Sequence, residues 1–325
     1  MTMTLRRRQF LQLAAGAAAI LPWSRTASAL DYPMRPVRLI VGFPAASATD
    51  IVARVIAQPL SARLTQQVIV DNRPGAGSNI GTEAVVRATA DGYTLLGATV
   101  TNAVNATLYK DLSFDFVCDI APVVGTFRSP SAVVVTQSLP ATTLAEFIAY
   151  AKANPGKINY ASFGYGTAPN MAAELFKMMA DVDLVHVPYR TNYLPDLISG
   201  QVQVAFNPIA LSIAQIKAGK LRALAVTGST RSNALPDIPA VAEFVPGYEA
   251  YIWHGIGAPK GTPADIVGKL NTAINAVLAD SDTKTRFAEL GGGAIGGSPD
   301  DFAKLIAAEI TKWGKVVLAA NIKPD

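Results

Sequence analysis

Val37 to Leu64 reads VRLIVGFPAASATDIVARVIAQPLSARL. Val37-Arg38-Leu39-Ile40-Val41 is short, mostly apolar and carries three β-branched residues, so it reads as a buried strand. Gly42 to Ala48 is a loop of small residues. Ile51, Val52, Val55, Ile56, Leu60 and Leu64 then recur at helical spacing. Ser47 or Thr49 can cap that helix, and Asp50 falls in its first turn, where a negative charge suits the dipole. The loop therefore delivers unpaired backbone N–H groups at a helix start, an arrangement that accepts an anion. An ordinary strand-to-helix connection would look the same in this stretch alone.

The pattern continues outward. Gln67 to Val70 reads as a second strand, Ile80 to Arg87 as a helix and Thr94 to Val100 as a third strand. Strands alternating with helices predict an α/β fold with a parallel sheet covered on both faces. Ligands gather at the carboxyl ends of such strands, here Phe43–Ser47, Asn72–Gly77 and Thr99–Asn102. Val123–Thr126 and Ala132–Thr136 read as two β runs separated by Arg128-Ser129-Pro130. A second series follows: helix 144–153, strand 158–161, loop Ser162–Thr167, helix 170–180, strand 183–189, a helix near 194–199, strand 202–207, a helix near 209–218 and strand 221–227. The Pro-rich stretch 235–246 is a return crossing to a last strand, 251–258. Residues 263–280, 282–290 and 299–320 read as helices. The layout is two α/β lobes, the chain crossing out near 125–135 and back near 230–250.

The chain has 325 residues, 50% hydrophobic and 16% charged, enough for two domains. Its start has export-signal order: basic Arg6-Arg7-Arg8, apolar Phe10 to Leu21, then Ala27-Ser28-Ala29 as the cleavage motif. Cleavage after Ala29 and a periplasmic location are expected. Arg7-Arg8-Gln9-Phe10-Leu11 resembles a twin-arginine signal, though an arginine-rich Sec signal reads equally well. Residues 1–29 hold four arginines and no acid, so the formal charge of +4 minus four leaves zero for the mature chain. No nucleic-acid partner follows from that balance. One cysteine, Cys118, excludes an internal disulfide. His186 and His254 lack metal-ligand spacing.

Several motifs bear on chemistry. Gly75-Ala76-Gly77-Ser78-Asn79-Ile80-Gly81 lies between strand and helix, but its spacing departs from GxGxxG and no acidic residue closes the next strand; it reads as a tight turn. Ser162-Phe163-Gly164-Tyr165-Gly166 is not a nucleophile elbow, because its glycines follow the serine. His186 and His254 are the available bases for a catalytic serine, and each lies in or beside an apolar strand, where a packed histidine is the commoner finding. The stretch instead suggests a second backbone cradle, with Gly164 and Gly166 permitting close approach and Ser162 and Thr167 bringing hydroxyls to a helix start. Asp50 either binds a ligand amine or hydroxyl or supports its helix start. Arg73 and Arg190 either meet a carboxylate or form rim pairs. Trp253-His254-Gly255 ends the last strand near the expected cleft.

Short motifs in order along the chain carry a family resemblance: Val70-Asp71-Asn72-Arg73-Pro74-Gly75-Ala76-Gly77, Asp91-Gly92-Tyr93-Thr94-Leu95-Leu96, Gly164-Tyr165-Gly166-Thr167, His186-Val187-Pro188-Tyr189, Gly219-Lys220-Leu221-Arg222-Ala223-Leu224-Ala225-Val226-Thr227, Leu235-Pro236-Asp237-Ile238-Pro239, Trp253-His254-Gly255 and Pro259-Lys260-Gly261-Thr262-Pro263. Almost end to end, the mature chain resembles the Bug-type solute-binding proteins of tripartite tricarboxylate transporters. The resemblance implies a periplasmic-binding-protein fold of type II kind, with two lobes joined by crossing strands around a ligand cleft. Lobe 1 would comprise 30–128 and 248–325, and lobe 2 would comprise 129–247. It implies a small organic acid as ligand, membrane transporter subunits as partners, no cofactor, no metal, no enzymatic activity, and a monomer without a membrane span after the signal. The expected ligand-binding residues are Phe43, Ala45, Ala46, Ser47 and Asp50 on the first loop, Thr99 and Asn102, then Ser162, Gly164, Tyr165, Gly166, Thr167 and Asn170, with Tyr189 and Asn207 at later strand ends. The chain departs from the family pattern at Ala45-Ala46, where a glycine pair is usual, at Asn170, where His is frequent, and at Thr191, a common glycine. A ligand sensor docking to a signalling partner is the alternative function, and neighbouring genes for membrane subunits would separate the two.

Overall fold

A computed structural model describes residues 32–189 and 192–324. The export signal, its cleavage point, Arg190 and Thr191 lie outside the described residues. Strand β1 (Val37–Val41) runs parallel to β2 (Val68–Asn72) on one side and β3 (Thr94–Thr99) on the other. Helix α1 (Ala48–Leu64) follows β1 and buries Val52, Ile56, Leu60 and Leu64, one residue per turn along a single face. Each such aliphatic side chain contributes roughly 1.5–3 kcal/mol on full burial. Next come α2 (Asn79–Val86), α3 (Val100–Leu108) and a single turn, α4 (Phe116–Asp119). Helix α3 escaped the sequence reading because Val100, Thr101, Asn102, Val104 and Asn105 are weak helix formers. A capping box compensates: Thr99 accepts the Thr101 N–H, and Asn102 accepts the Thr99 N–H at 2.8 Å.

The two expected β runs are one strand. β4 (Ile120–Thr136) passes unbroken through Arg128-Ser129-Pro130. Pro130 is tolerated because one ladder ends there. It is the last residue paired with β9 (Tyr251–Pro259), and Ser131 opens the pairing with β7 (Val204–Pro208). Beyond it, β8 (Leu221–Val226) pairs antiparallel with the same half of β4. Strands β5 (Asn159–Ser162) and β6 (Val185–Pro188) continue parallel to β7. The sheet is therefore mixed rather than all parallel. Two parallel groups, β2-β1-β3 and β7-β5-β6, are joined through antiparallel β9 and β4. A tenth strand, β10 (Gly293–Gly296), absent from the sequence reading because of its glycines, pairs with β4 at Gly125 to Arg128.

The remaining helices are α5 (Leu144–Ala153), α6 (Ala168–Ala180), α7 (Leu194–Ser199), α8 (Ile209–Lys217), α9 (Ala264–Ala279), α10 (Ser281–Glu289) and α11 (Pro299–Ala319). Helix α11 closes the core. Trp253 of β9 and Trp313 of α11 are buried, and both indole N–H groups donate to Glu309 Oε2, at 2.9 and 2.7 Å. The ring of buried Phe302 occupies the space over Gly255, where a Cβ would lie 2.0 Å from its Cζ. Gly255→Ala is therefore expected to lower stability by about 1–3 kcal/mol through overpacking. Urea unfolding measures this, and an unchanged midpoint would mean α11 is not seated firmly on β9.

Candidate functional site

Five helices begin on one space. The starts of α1, α3, α6, α7 and α8 border a cavity of about 590 Å³, within the roughly 300–1,000 Å³ of sites that enclose small organic ligands. Helix α1 contributes Ser47, Ala48 and Thr49; α3 contributes Thr99, Val100 and Thr101; α6 contributes Thr167, Ala168 and Pro169. Asn192 to Leu194 and Asn207-Pro208 bring the starts of α7 and α8. Phe43 to Ala46, Phe163, Tyr189, Leu211, Ile252 and His254 complete the wall. No Lys, Arg, Asp or Glu is among the described lining residues. The N-cap side chains of α6, α7 and α8 make no capping hydrogen bond. The cavity thus faces the positive ends of helix dipoles, with Asp50 and Asp196 in the first turns of α1 and α7 set behind its lining.

The first loop owes its shape to Asp50, which is buried and does not line the cavity. Its Oδ2 accepts the Ala46 N–H and Arg54 Nε, each at 2.9 Å, and its Oδ1 accepts Asn72 Nδ2 at 2.9 Å. Asn72 also donates to the Phe43 carbonyl at 3.0 Å. Burial works to raise the Asp50 pKa, but the hydrogen bonds from Arg54, Ala46 and Asn72, with the Arg54 charge, together hold it below the ordinary carboxylate value. Ala46 sits at φ 63°, in the left-handed region that alanine avoids. Ser47 is the N-cap and accepts the Asp50 N–H at 3.3 Å.

The second loop is also supported from behind. Ser162 is fully buried and lies outside the cavity lining. Its Oγ is 2.7 Å from His186 Nε2 and accepts the Gly164 N–H at 3.1 Å. Burial, helped by the Lys177 charge, lowers the His186 pKa to about 4, so the ring is neutral. It stacks on Tyr160 at 4.8 Å and meets the edge of Tyr165 at 4.6 Å. His186 Nδ1 has no hydrogen-bond partner among the described residues, so no carboxylate orients a base toward the serine. The pair therefore has the separation of a nucleophile and base but not their setting. Asn170 accepts the Gly166 N–H at 3.0 Å and donates to Tyr160 Oη at 2.8 Å. Gly166, at φ 73°, packs on α3, where a Cβ would lie 2.5 Å from Leu108 Cδ2.

Of the residues expected from sequence, Phe43, Ala45, Ala46, Ser47, Thr99, Thr167, Tyr189 and Asn207 line this cavity. Asp50, Asn102, Ser162 and Asn170 stand behind it as supports, while Gly164, Tyr165 and Gly166 belong to the second loop without lining the space. Tyr165 and Asn170 instead border a separate cavity of about 500 Å³ beside the C-terminal segment, with Glu174 and Lys177. Those two charges pair at 3.1 Å, and Lys323 of the C-terminal segment is the remaining charged residue among the described lining. Arg73 pairs with Asp71 at 3.3 Å, away from the site. Thr49, Phe163, Tyr193, Leu194 and His254 are lining residues that the site assignment omitted. Pro169 and Pro195 stand in the first turns of α6 and α7, a helix-start signal that would have drawn attention to Tyr193 and Leu194. His254 Nε2 lies 3.2 Å from Thr49 Oγ1, and burial lowers its pKa to about 4. No group of three metal-ligating side chains occurs among the described residues.

Two predictions follow from this geometry. Asp50→Ala strands the Ala46 N–H and the Asn72 amide, and should cost about 1–3 kcal/mol of stability. Ala46→Gly should recover up to about 1 kcal/mol by relieving the left-handed alanine; denaturant midpoints of both variants and the double variant check this. For pH, a histidine whose folded pKa lies near 4 against an ordinary 6.5 stabilises the fold above 6.5, and that contribution is lost as pH falls toward 4. His186→Gln should therefore show a shallower loss of thermal stability across that window than the wild type.

Residues 52–322 match the family described as the tripartite tricarboxylate transporter family receptor. A UPF0065 protein from the tcbD-tcbE intergenic region of Pseudomonas sp. strain P51 is 36% identical over 318 residues, covering 96% of this chain and 95% of the relative. BugT of Bordetella pertussis is 35% identical over 301 residues, covering 91% and 92%. Among solved structures, R. palustris Rpa4515 with adipate superposes with a TM-score of 0.84 at 38% identity, covering 91% of this chain and all of the other. The periplasmic binding protein BugD gives 0.81 at 32%, covering 90% and 100%. MatC of Rhodopseudomonas palustris with bound malate gives 0.80 at 30%, covering 88% and 100%.

Proposed function

Because the chain belongs to the tripartite tricarboxylate transporter receptor family, we propose that it is an exported receptor that closes two lobes on a small carboxylate and hands it to the membrane subunits of such a transporter. Lobe 1 (30–128 and 248–325) and lobe 2 (129–247) share β4 as their crossing strand, and the mature chain begins behind Ala29 in the periplasm. The carboxylate sits between the start of α1 and the start of α6, held by the backbone N–H groups of Ala48, Thr49 and Ala168. Asp50, Asn102, Ser162 and Asn170 position those loops without touching the ligand. The chain acts as a monomer and performs no chemistry on its ligand.

The observation that carries this reading is the meeting of five helix starts in a cavity without formal charge among its described lining residues. Charge-assisted hydrogen bonds contribute about 1.5–3 kcal/mol each, and a micromolar affinity needs about 8 kcal/mol. Three such bonds supply about 4.5–9 kcal/mol before the cost of association, so burial of the ligand's apolar body supplies the rest. The bound acids in two of the similar structures, adipate and malate, are in keeping with it. Mass spectrometry of ligand released from periplasmic protein should identify an organic acid. In calorimetry the corresponding primary amide should bind at least tenfold more weakly than the acid. Equal affinity for acid and amide, or turnover of the released ligand by the purified protein, would contradict the proposal.

A further inference from the structure

One wall of the cavity is aromatic, and both of its tyrosine hydroxyls are engaged. Phe163 and Tyr193 lie with ring centroids 4.8 Å apart, and Tyr189 and Tyr193 at 5.8 Å. The Tyr189 hydroxyl donates to Asp196 at 2.7 Å. The Tyr193 hydroxyl donates to Asn207 Oδ1 at 2.6 Å, and Asn207 Nδ2 donates to Ser212 at 2.6 Å. Both tyrosine hydroxyls are thus committed to acceptors within the protein, and the Asp196 carboxylate stands behind Tyr189. Phe163 lines the cavity and is 40% exposed, so covering it gains hydrophobic and ring–ring contact. Pro44, Ala45 and Ala46, just before the start of α1, add apolar surface to the lining.

From these contacts we infer that the ligand is a carboxylate carrying an aromatic ring. Its carboxylate meets the starts of α1 and α6, and its ring lies on the Phe163–Tyr193–Tyr189 wall. The inference rests on the carboxylate-receptor reading and narrows it, because a ring gains contact with this wall that a linear dicarboxylate does not.

The test is titration calorimetry of the mature protein, freed of bound ligand by unfolding and refolding, with phenylacetate, adipate and phenylacetamide as probes. Phenylacetate is expected to bind at least tenfold more tightly than adipate, with phenylacetamide weaker than both. Phe163→Ala should weaken phenylacetate at least tenfold and change adipate less than threefold, while Phe163→Tyr keeps wild-type affinity for both. Tighter binding of adipate than phenylacetate would overturn the aromatic assignment and leave the carboxylate receptor standing. Phenylacetamide binding as tightly as phenylacetate, or no binding of either acid by protein with a wild-type unfolding transition, would overturn both.

Discussion

Strand β4 is the constraint on which the rest depends. Along its first half it is paired on one edge with β9 and on the other with β10, and along its second half with β7 and β8. Gly125, Phe127 and Arg128 are paired to both β9 and β10, and Ala132 to Val135 to both β7 and β8, so β4 has little freedom to twist independently of its neighbours. It therefore fixes β1 and β3, reached through β9, relative to β5 and β6, reached through β7. The carboxyl ends of both parallel groups open on the same space, and each strand there hands the chain to a helix. The helix starts converge because the strands before them do.

The polar chemistry of the site lies mostly one layer behind its surface. Asp50 holds the first loop, Asn102 caps α3 and reaches Thr82 at 2.8 Å, and Asn170 links the second loop to Tyr160 and, through it, to Glu174. Each buried group is hydrogen-bonded, so each stiffens a backbone turn rather than presenting a charge to the cavity. The described cavity surface carries hydroxyls, the side chains of Asn192, Asn207 and His254, and a large apolar area. Under the proposed function, an anion meets preorganised helix-start dipoles there.

Much of this was legible in the sequence, for physical reasons that differ by element. The opening strand–loop–helix was plain because Val37–Val41 is β-branched and α1 repeats its apolar residues every fourth position. Helix α3 was hidden because its stability comes from a capping box and from packing under α11 rather than from propensity. Strand β4 looked broken because Pro130 usually ends a strand, and only the change of ladder at that residue explains its tolerance. Side-chain direction was the least legible feature. Asp50 and Asn170 lie in the right loops, but which way a carboxylate or an amide points depends on partners such as Arg54, Asn72 and Tyr160, distant in sequence or set by the turn itself. The aromatic wall was hidden for the same reason: Phe163 and Tyr193 are 30 residues apart in sequence and meet through the pairing of β5 with β6.

The central claim is that backbone amides at two helix starts hold an anion. The most direct measurement is amide chemical shift in isotopically labelled protein titrated with its released ligand. The account predicts that Ala48, Thr49 and Ala168 shift furthest downfield, along one binding isotherm, as their N–H groups take up a charged acceptor. Shifts confined to Tyr165, Lys177 and the C-terminal segment, with Ala48 and Ala168 unmoved, would place the ligand in the other cavity and contradict it.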